Sequence, residues 1–418
     1  MKPFSGPDGQ TSESNPEKPA EKDPQPVMIV FTFPGQGSQK PGMGEAWRDH
    51  PSWELVAEAS SILGRDLEQL LLHTEADELT RTDNAQLSTF LTSLIILDAV
   101  ERLGVEPAAA AGHSLGEYTA LVSTGAMSFD DGLRLVAERG SAMLSATTDR
   151  VGTMAAVLGL DDDDVEIACA RVSSDVWVAN YNAPGQVVIA GSPEAVAECS
   201  TVAKELGAKK VMPMAVSGAF HTPFMSPARD RLKAAIATAD FREADLPVYA
   251  NVDARPHTAA SQWVGLLASQ LCSPVRWRQT LHNLGDAGGT VFVELGPGSV
   301  LTGMAKRTVT GATTISVSTP ADLDKLLTTL ATPSASVSGV HEGEHLFATE
   351  RMVVSPAAGV FTPASGIEAG STLAPGTVLG TVGDVDVRSP FDGIVVGMLA
   401  VEGERVTTSQ PIAWLRTA

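Results

Sequence analysis

A chain of 418 residues, 43% hydrophobic and 19% charged, has material for two or three domains with ordinary globular cores. Its formal net charge of −21 argues against nucleic acid or an anionic membrane as a partner, because both require basic surface. Three widely spaced cysteines offer neither a disulfide framework nor a zinc site and suit a reducing, cytoplasmic setting; no apolar run reaches the roughly 18–20 residues of a membrane span.

Residues 1–26 are rich in Pro, Ser, Glu, Lys and Gln without an apolar core, and read as a disordered tail with no signal peptide. Val27–Phe33 (VMIVFTF) reads as the first buried strand, ending at the Gly-rich loop Pro34-Gly35-Gln36-Gly37-Ser38-Gln39. Helical periodicity covers Ser52–Leu72 and Leu87–Leu103, with Gln86 at the start of the second helix, where it could reach a cleft.

The small apolar run Pro107–Ala111 then leads into Gly112-His113-Ser114-Leu115-Gly116-Glu117, which opens a further helix. A serine between two glycines at a strand-to-helix junction is the nucleophile-elbow pattern. The turn is too tight for flanking side chains, and it holds Ser114 at a helix N-terminus whose N–H groups can bind a developing oxyanion. By itself the pattern is short, and a glycine-flanked serine also fills ordinary tight turns. Gly125 is placed to end the elbow helix, and Ser128 to Asp131 to cap the next one as a variant capping box. On that next helix Arg139 shares a face with Leu135, Val136 and Met143. An arginine there either snorkels from the core edge or forms an anion site, since an unpartnered buried guanidinium is costly.

From Val151 to Val216 the order strand, helix, strand, strand, helix, strand indicates a ferredoxin-like insert, with an acidic helix start at Asp161–Asp164 that does not read as a metal site. A loop with a histidine among small residues follows (Ser217-Gly218-Ala219-Phe220-His221), then strands at Val248–Val252 and Thr290–Leu295, the tight Gly296-Pro297-Gly298 loop and a helix over Val300–Arg307. Residues 331–346 read as a small-residue linker. Residues 347–418 change texture to Val, Gly and Thr and carry an internal repeat: Ser355-Pro356 returns as Ser389-Pro390 at an offset of 34, and Gly370 as Gly403 at an offset of 33. Two four-strand halves related by a pseudo-twofold axis account for that spacing.

Residues 27–320 resemble the malonyl-CoA:acyl carrier protein transacylases. The resemblance is carried, in order, by Phe33–Gln39, Gly112–Glu117, Arg139-Gly140, Asn182-Ala183-Pro184-Gly185-Gln186 through Gly191, Gly218–His221 and Glu294–Gly298. One small departure is Gln86-Leu87, where the family usually has Gln-Pro. The resemblance implies an α/β, hydrolase-like acyltransferase core over 27–330 with the insert at about 151–216. It implies that Ser114 becomes the acyl ester, His221 is its base, Arg139 grips the malonyl carboxylate, and backbone N–H groups of Gln36 and Leu115 form the oxyanion hole. The Gln270 backbone carbonyl orients the histidine on this reading. Gln86, Asn182 and Phe220 bind substrate, the Phe220 ring going with an unbranched acyl group. The implied substrates are malonyl-CoA and the phosphopantetheine thiol of an acyl carrier protein, with no bound cofactor or metal. The acidic carrier would meet a local basic patch, for which Lys209, Lys210, Arg276 and Arg278 are candidates.

The last part resembles the biotinyl/lipoyl barrel-sandwich domains, without their modifiable lysine, since no lysine follows Lys325. Biotin or lipoate is therefore not expected there, and a docking or packing role is. Two other classes compete with the transferase reading: a serine hydrolase such as a thioesterase, and a scaffold with a vestigial first domain. The inward Arg139 disfavours the first, and the presence of Ser114, His221 and Arg139 together disfavours the second.

Overall fold

A computed structural model describes residues 27–216, 218–331, 350–389, 393–407 and 410–416. The expected tail at residues 1–26 and nearly all of the expected linker lie outside them, as do Ser217 and residues 390–392 of the second repeat motif. Contacts divide the chain into two compact units, the first running to Pro333 and the second from Ser334.

In the first unit the β-branched and aromatic run Met28–Phe33 forms β1, its last four residues buried. The chain continues through α1 (Glu54–Leu63), α2 (Leu67–Leu72), α3 (Ala76–Thr80) and α4 (Thr82–Glu101) to β2 (Ala109–Gly112). The single helix predicted over Ser52–Leu72 is broken. Gly64 takes a left-handed φ of 61° at the end of α1, and Asp66 caps α2 by accepting the Gln69 N–H. The helix predicted from Leu87 begins earlier, at Thr82, so Gln86 lies inside α4 rather than at its start. After the elbow come α5 (Gly116–Ser123), ended by left-handed Gly125, and α6 (Phe129–Asp149), capped by Ser128 Oγ accepting the Asp131 N–H at 3.1 Å.

The insert follows as β3 (Thr153–Leu158), α7 (Asp162–Arg171), β4 (Val176–Ala183), β5 (Gln186–Gly191), α8 (Pro193–Glu205) and β6 (Lys210–Pro213). Its sheet runs β4-β5-β3-β6 with every neighbouring pair antiparallel, the ferredoxin-like arrangement, over a separate core of Val157, Val165, Ile189 and Cys199.

The chain then adds α9 (Ser226–Ile236), β7 (Val248–Tyr249), β8 (Pro256–His257), α10 (Ala260–Gln270), α11 (Trp277–Asp286), β9 (Gly289–Leu295), α12 (Val300–Thr308), β10 (Thr313–Val317) and α13 (Ala321–Ala331). The strand expected over Val248–Val252 is thus only two residues long. The main sheet has the order β10-β9-β1-β2-β7-β8, parallel except for β8. The carboxyl ends of β1, β2 and β9 therefore lie side by side, and the loops leaving them meet at one edge, where open α/β sheets bind ligands. Gly296 keeps the loop after β9 small enough to lie against Pro34, and Glu294 at the end of β9 accepts the Thr302 N–H at 2.7 Å, anchoring the start of α12.

Among its described residues the second unit has eight strands: β11 (Glu350–Val354), β12 (Gly359–Pro363), β13 (Thr372–Leu373), β14 (Val378–Val382), β15 (Val385–Arg388), β16 (Gly393–Met398), β17 (Arg405–Val406) and β18 (Pro411–Arg416). They form two four-stranded sheets, β11-β18-β16-β13 and β15-β14-β12-β17. Exchanging β11 to β14 with β15 to β18, in order, converts one sheet into the other, so the sequence repeat is a spatial pseudo-symmetry. Phe361, Leu379, Val387, Val395 and Ile412 fill the core between them.

Candidate active site

Ser114 sits between β2 and α5 with φ 53°, a left-handed conformation that costs a non-glycine residue about 1–3 kcal/mol. The surroundings enforce it. A Cβ at Gly112 would collide with the Gly116 backbone, and one at Gly116 with the Phe33 carbonyl, so the elbow closes only around glycine. Asn251, just past β7, braces the turn: its Oδ1 accepts the Ser114 N–H and its Nδ2 donates to the Gly112 carbonyl, both at 2.7 Å. Gln270 Nε2 donates to the Ser114 carbonyl at 2.9 Å.

His221, also left-handed at φ 60°, puts Nε2 2.8 Å from Ser114 Oγ. Its Nδ1 lies 3.0 Å from the Gln270 carbonyl oxygen. A carbonyl only accepts, so the proton is on Nδ1 and Nε2 is free to accept from the serine. Burial, assisted by the Arg139 charge, lowers the imidazole to about 3, so it is neutral at neutral pH.

Arg139 is 1% exposed on the apolar face of α6, with Leu135, Val136 and Met143. Its Nη1 donates to Gln86 Oε1 at 2.5 Å, and its Nη2 to both Ser114 Oγ and Gln270 Oε1 at 3.0 Å. The hydroxyl thus accepts from a cation while facing a neutral base, which favours the alkoxide form. Gln86 is held in turn by Met143.

Gly35 and Gln36 close in from the loop after β1: a Cβ on Gly35 would come 2.6 Å from the His113 carbonyl, so backbone meets backbone across the cleft. Leu115 supplies the first N–H at the start of α5, a position with no partner inside a helix. Asn182, at the end of β4, accepts through Oδ1 from His113 Nε2 at 2.9 Å, and His113 stands edge-on to Trp277. Phe220 is buried beside His221. These residues line one cleft of about 430 Å³, which is walled further by Met154, Val188 and Met212 of the insert.

Of the residues singled out from the sequence, Gln36, Ser114, Arg139, Asn182, Phe220 and His221 line this cleft, Gln86 and Gln270 stand behind it on Arg139, and Leu115 follows Ser114 in the elbow. Sequence reasoning passed over Glu117, Asn251, His113 and the side-chain amide of Gln270. Asn251 had a readable signal, a polar residue just past a strand at the carboxyl edge of a parallel sheet. Glu117 is fully buried and accepts from Gln270 Nε2 at 2.5 Å. Of the four basic candidates, Lys209, Lys210 and Arg276 are exposed, whereas Arg278 is tied to Asp162 at 2.6 Å.

A serine on a strained elbow, a neutral imidazole against it and an arginine inside the cleft define a serine acyl transferase. Residues 30–328 match the family described as acyl transferase domain. The malonyl CoA-acyl carrier protein transacylase of Bacillus subtilis (strain 168) is 41% identical over 307 residues, 72% of this chain and 97% of the relative. The Escherichia coli (strain K12) protein of the same name is 40% identical over 300 residues, 70% of this chain and 97% of the relative. Among solved structures, an acyl carrier protein S-malonyltransferase from Vibrio cholerae superposes with a TM-score of 0.69 at 38% identity, covering 72% of this chain and 100% of that one. A malonyl-transacylase solved with its type II PKS acyl-carrier protein gives a TM-score of 0.70 at 37% identity, again over 72% and 100%. The chain belongs to the malonyl CoA-acyl carrier protein transacylases; the family match ends before the second unit begins.

Proposed function

We propose that the first unit moves malonyl from malonyl-CoA to the phosphopantetheine thiol of an acyl carrier protein, in fatty acid or polyketide synthesis, through a malonyl ester on Ser114. The observation that carries this is the position of Ser114 Oγ between His221 Nε2 at 2.8 Å and Arg139 Nη2 at 3.0 Å. His221 Nε2 takes the hydroxyl proton as Oγ attacks the thioester carbonyl. The oxyanion is received by the Gln36 and Leu115 N–H groups, and the imidazolium returns its proton to the departing CoA thiolate. The carrier thiol repeats the sequence in reverse, giving ping-pong kinetics. Arg139, steadied by Gln86, turns its planar fork to the malonyl carboxylate, which it can hold bidentately. Asn182 and Phe220 bound the acyl pocket, and the exposed Lys209, Lys210 and Arg276 offer the acidic carrier a landing patch.

The second unit reads as a biotinyl/lipoyl-type barrel-sandwich that has lost its attachment site. Its symmetry-related halves join at the two-residue turn Gly383-Asp384, and no lysine is available on it for an amide-linked cofactor. On this reading it is a docking module. Among the described residues no helix is long and apolar enough to cross a membrane, and three free thiols suit the cytoplasm.

The test is direct. Incubated with malonyl-CoA, the protein gains one malonyl group by intact mass, and Ser114→Ala gains none. A normal gain by Ser114→Ala refutes the assignment, and release of free malonate in place of transfer to carrier identifies a hydrolase.

A further inference from the structure

Arg139 and Glu117 are both buried, and the proposed chemistry uses only the first. Arg139 bonds to three neutral oxygens, those of Gln86, Gln270 and Ser114, and has no carboxylate in direct contact among the described residues. A guanidinium buried without a counter-charge is expensive, so a negative charge must be near. Glu117 supplies it, one amide away. The Gln270 side chain spans the two, its Oε1 accepting from Arg139 Nη2 at 3.0 Å and its Nε2 donating to Glu117 Oε2 at 2.5 Å. Glu117 Oε1 accepts the Asn251 N–H at 3.4 Å. Both contacts donate to the carboxylate, and the Gln270 amide is fixed in orientation by the Arg139 donor on its Oε1 and the Ser114 and Glu117 acceptors on its Nε2. Asp253 is the other charged group that acts on Glu117, and it opposes ionisation; neighbouring Tyr118 is pushed up to about 12 by burial and is neutral.

We propose that Glu117 is the resident counter-ion of Arg139 and a positioning residue for malonyl recognition. Its carboxylate holds the Gln270 amide on the guanidinium, and the incoming substrate carboxylate competes with it for that single positive charge. The proposal rests on Arg139 receiving the malonyl carboxylate. The consequence is linkage: two carboxylates sharing one cation weaken each other, so binding of malonyl raises the proton affinity of Glu117, and protonation of Glu117 favours malonyl by the same factor. Burial already raises Glu117 to about 7, where a proton can be exchanged under ordinary conditions.

An acyl donor without a free carboxylate is blind to this exchange. The experiment therefore measures the rate of Ser114 loading at subsaturating malonyl-CoA and acetyl-CoA from pH 5.5 to 8.5 in the full chain, and takes their ratio, which cancels effects common to both donors. The ratio is expected to fall as pH rises through the Glu117 titration, by about tenfold for each pKa unit that loading shifts Glu117. Glu117→Gln should give a flat ratio. A flat ratio in the unaltered protein, or an unchanged slope in Glu117→Gln, overturns the proposal. If Glu117→Gln does not fold, calorimetry of the unaltered protein in two buffers of different ionisation heat decides: proton uptake with malonyl-CoA beyond that with acetyl-CoA supports it, and equal uptake overturns it. Arg139→Ala run alongside separates the two readings. Should that variant keep its malonyl preference, the assignment of Arg139 fails; should it lose the preference while the unaltered ratio is flat, only the role of Glu117 fails.

Discussion

At the scale of single residues, His221 links the chemistry of the cleft to the stability of the whole unit. On the proposed mechanism His221 must be neutral to act as the base, and burial keeps it so, with its proton fixed on Nδ1 by the Gln270 carbonyl. The same burial makes the folded protein refuse a proton that the unfolded chain accepts. Between the ordinary value near 6.5 and the folded value of about 3, the unfolded state binds more protons, so stability rises with pH across that window and is fully present above 6.5. At pH 5 the cost is about 2 kcal/mol relative to pH 7. Urea unfolding at both pH values should show the unaltered protein losing that much more than His221→Gln; equal losses would mean that His221 titrates normally. Ser114, His221 and Arg139 were legible because each sits in a short motif or breaks a periodic pattern. Glu117 was not, since nothing local distinguishes a buried acid at a helix start from a solvated one. Its partners, Gln270 and Asn251, come from 134 or more residues away.

Elements show where periodicity carries information and where it stops. The insert was readable because its strands and helices alternate cleanly, each with one buried face. The helix α4 was misplaced at its start because it is buried nearly all round, and its polar first turn, with Thr82 and Asn84 both buried, carries no amphipathic signal. The break between α1 and α2 had a signal in Gly64 and Asp66, a left-handed stop followed by a cap, which periodicity alone overrode. The elbow is the opposite case: two glycines specify a geometry that no other residue permits. Gly116→Ala would drive a methyl group into the Phe33 carbonyl of β1, a central strand paired on both sides. Phe33 cannot retreat without disturbing the β1 ladder, nor Gly116 without opening the elbow at the start of α5. The substitution should therefore destabilise the unit by ~3 kcal/mol or more and abolish serine loading in whatever folds. Melting and loading close to those of the unaltered protein would show that the turn is looser than this geometry requires.

The whole molecule is two units with different logics, and the last prediction concerns their independence. The relatives are matched over 97–100% of their own length by about 72% of this chain, so the first unit corresponds to complete proteins elsewhere. The residues proposed for its chemistry all precede residue 331, and among the described residues its three clusters of buried side chains are drawn from the first unit. Among the described residues the second unit has its own core of buried apolar side chains, shared between two sheets that each contain strands from both halves. Neither half can bury its apolar face alone, which is why the repeat was visible in sequence as a pair and why the unit should fold or unfold as one piece. A chain ended at Pro333 should therefore remain folded and transfer malonyl to free carrier protein at an unchanged rate. What should fall is association, because a tethered module raises the local concentration of whatever it binds. Turnover and light scattering of the short and full chains, compared side by side, decide the matter. A large loss of turnover in the short chain would make the second unit part of the catalytic machinery, and its reading as a separate docking module would be wrong.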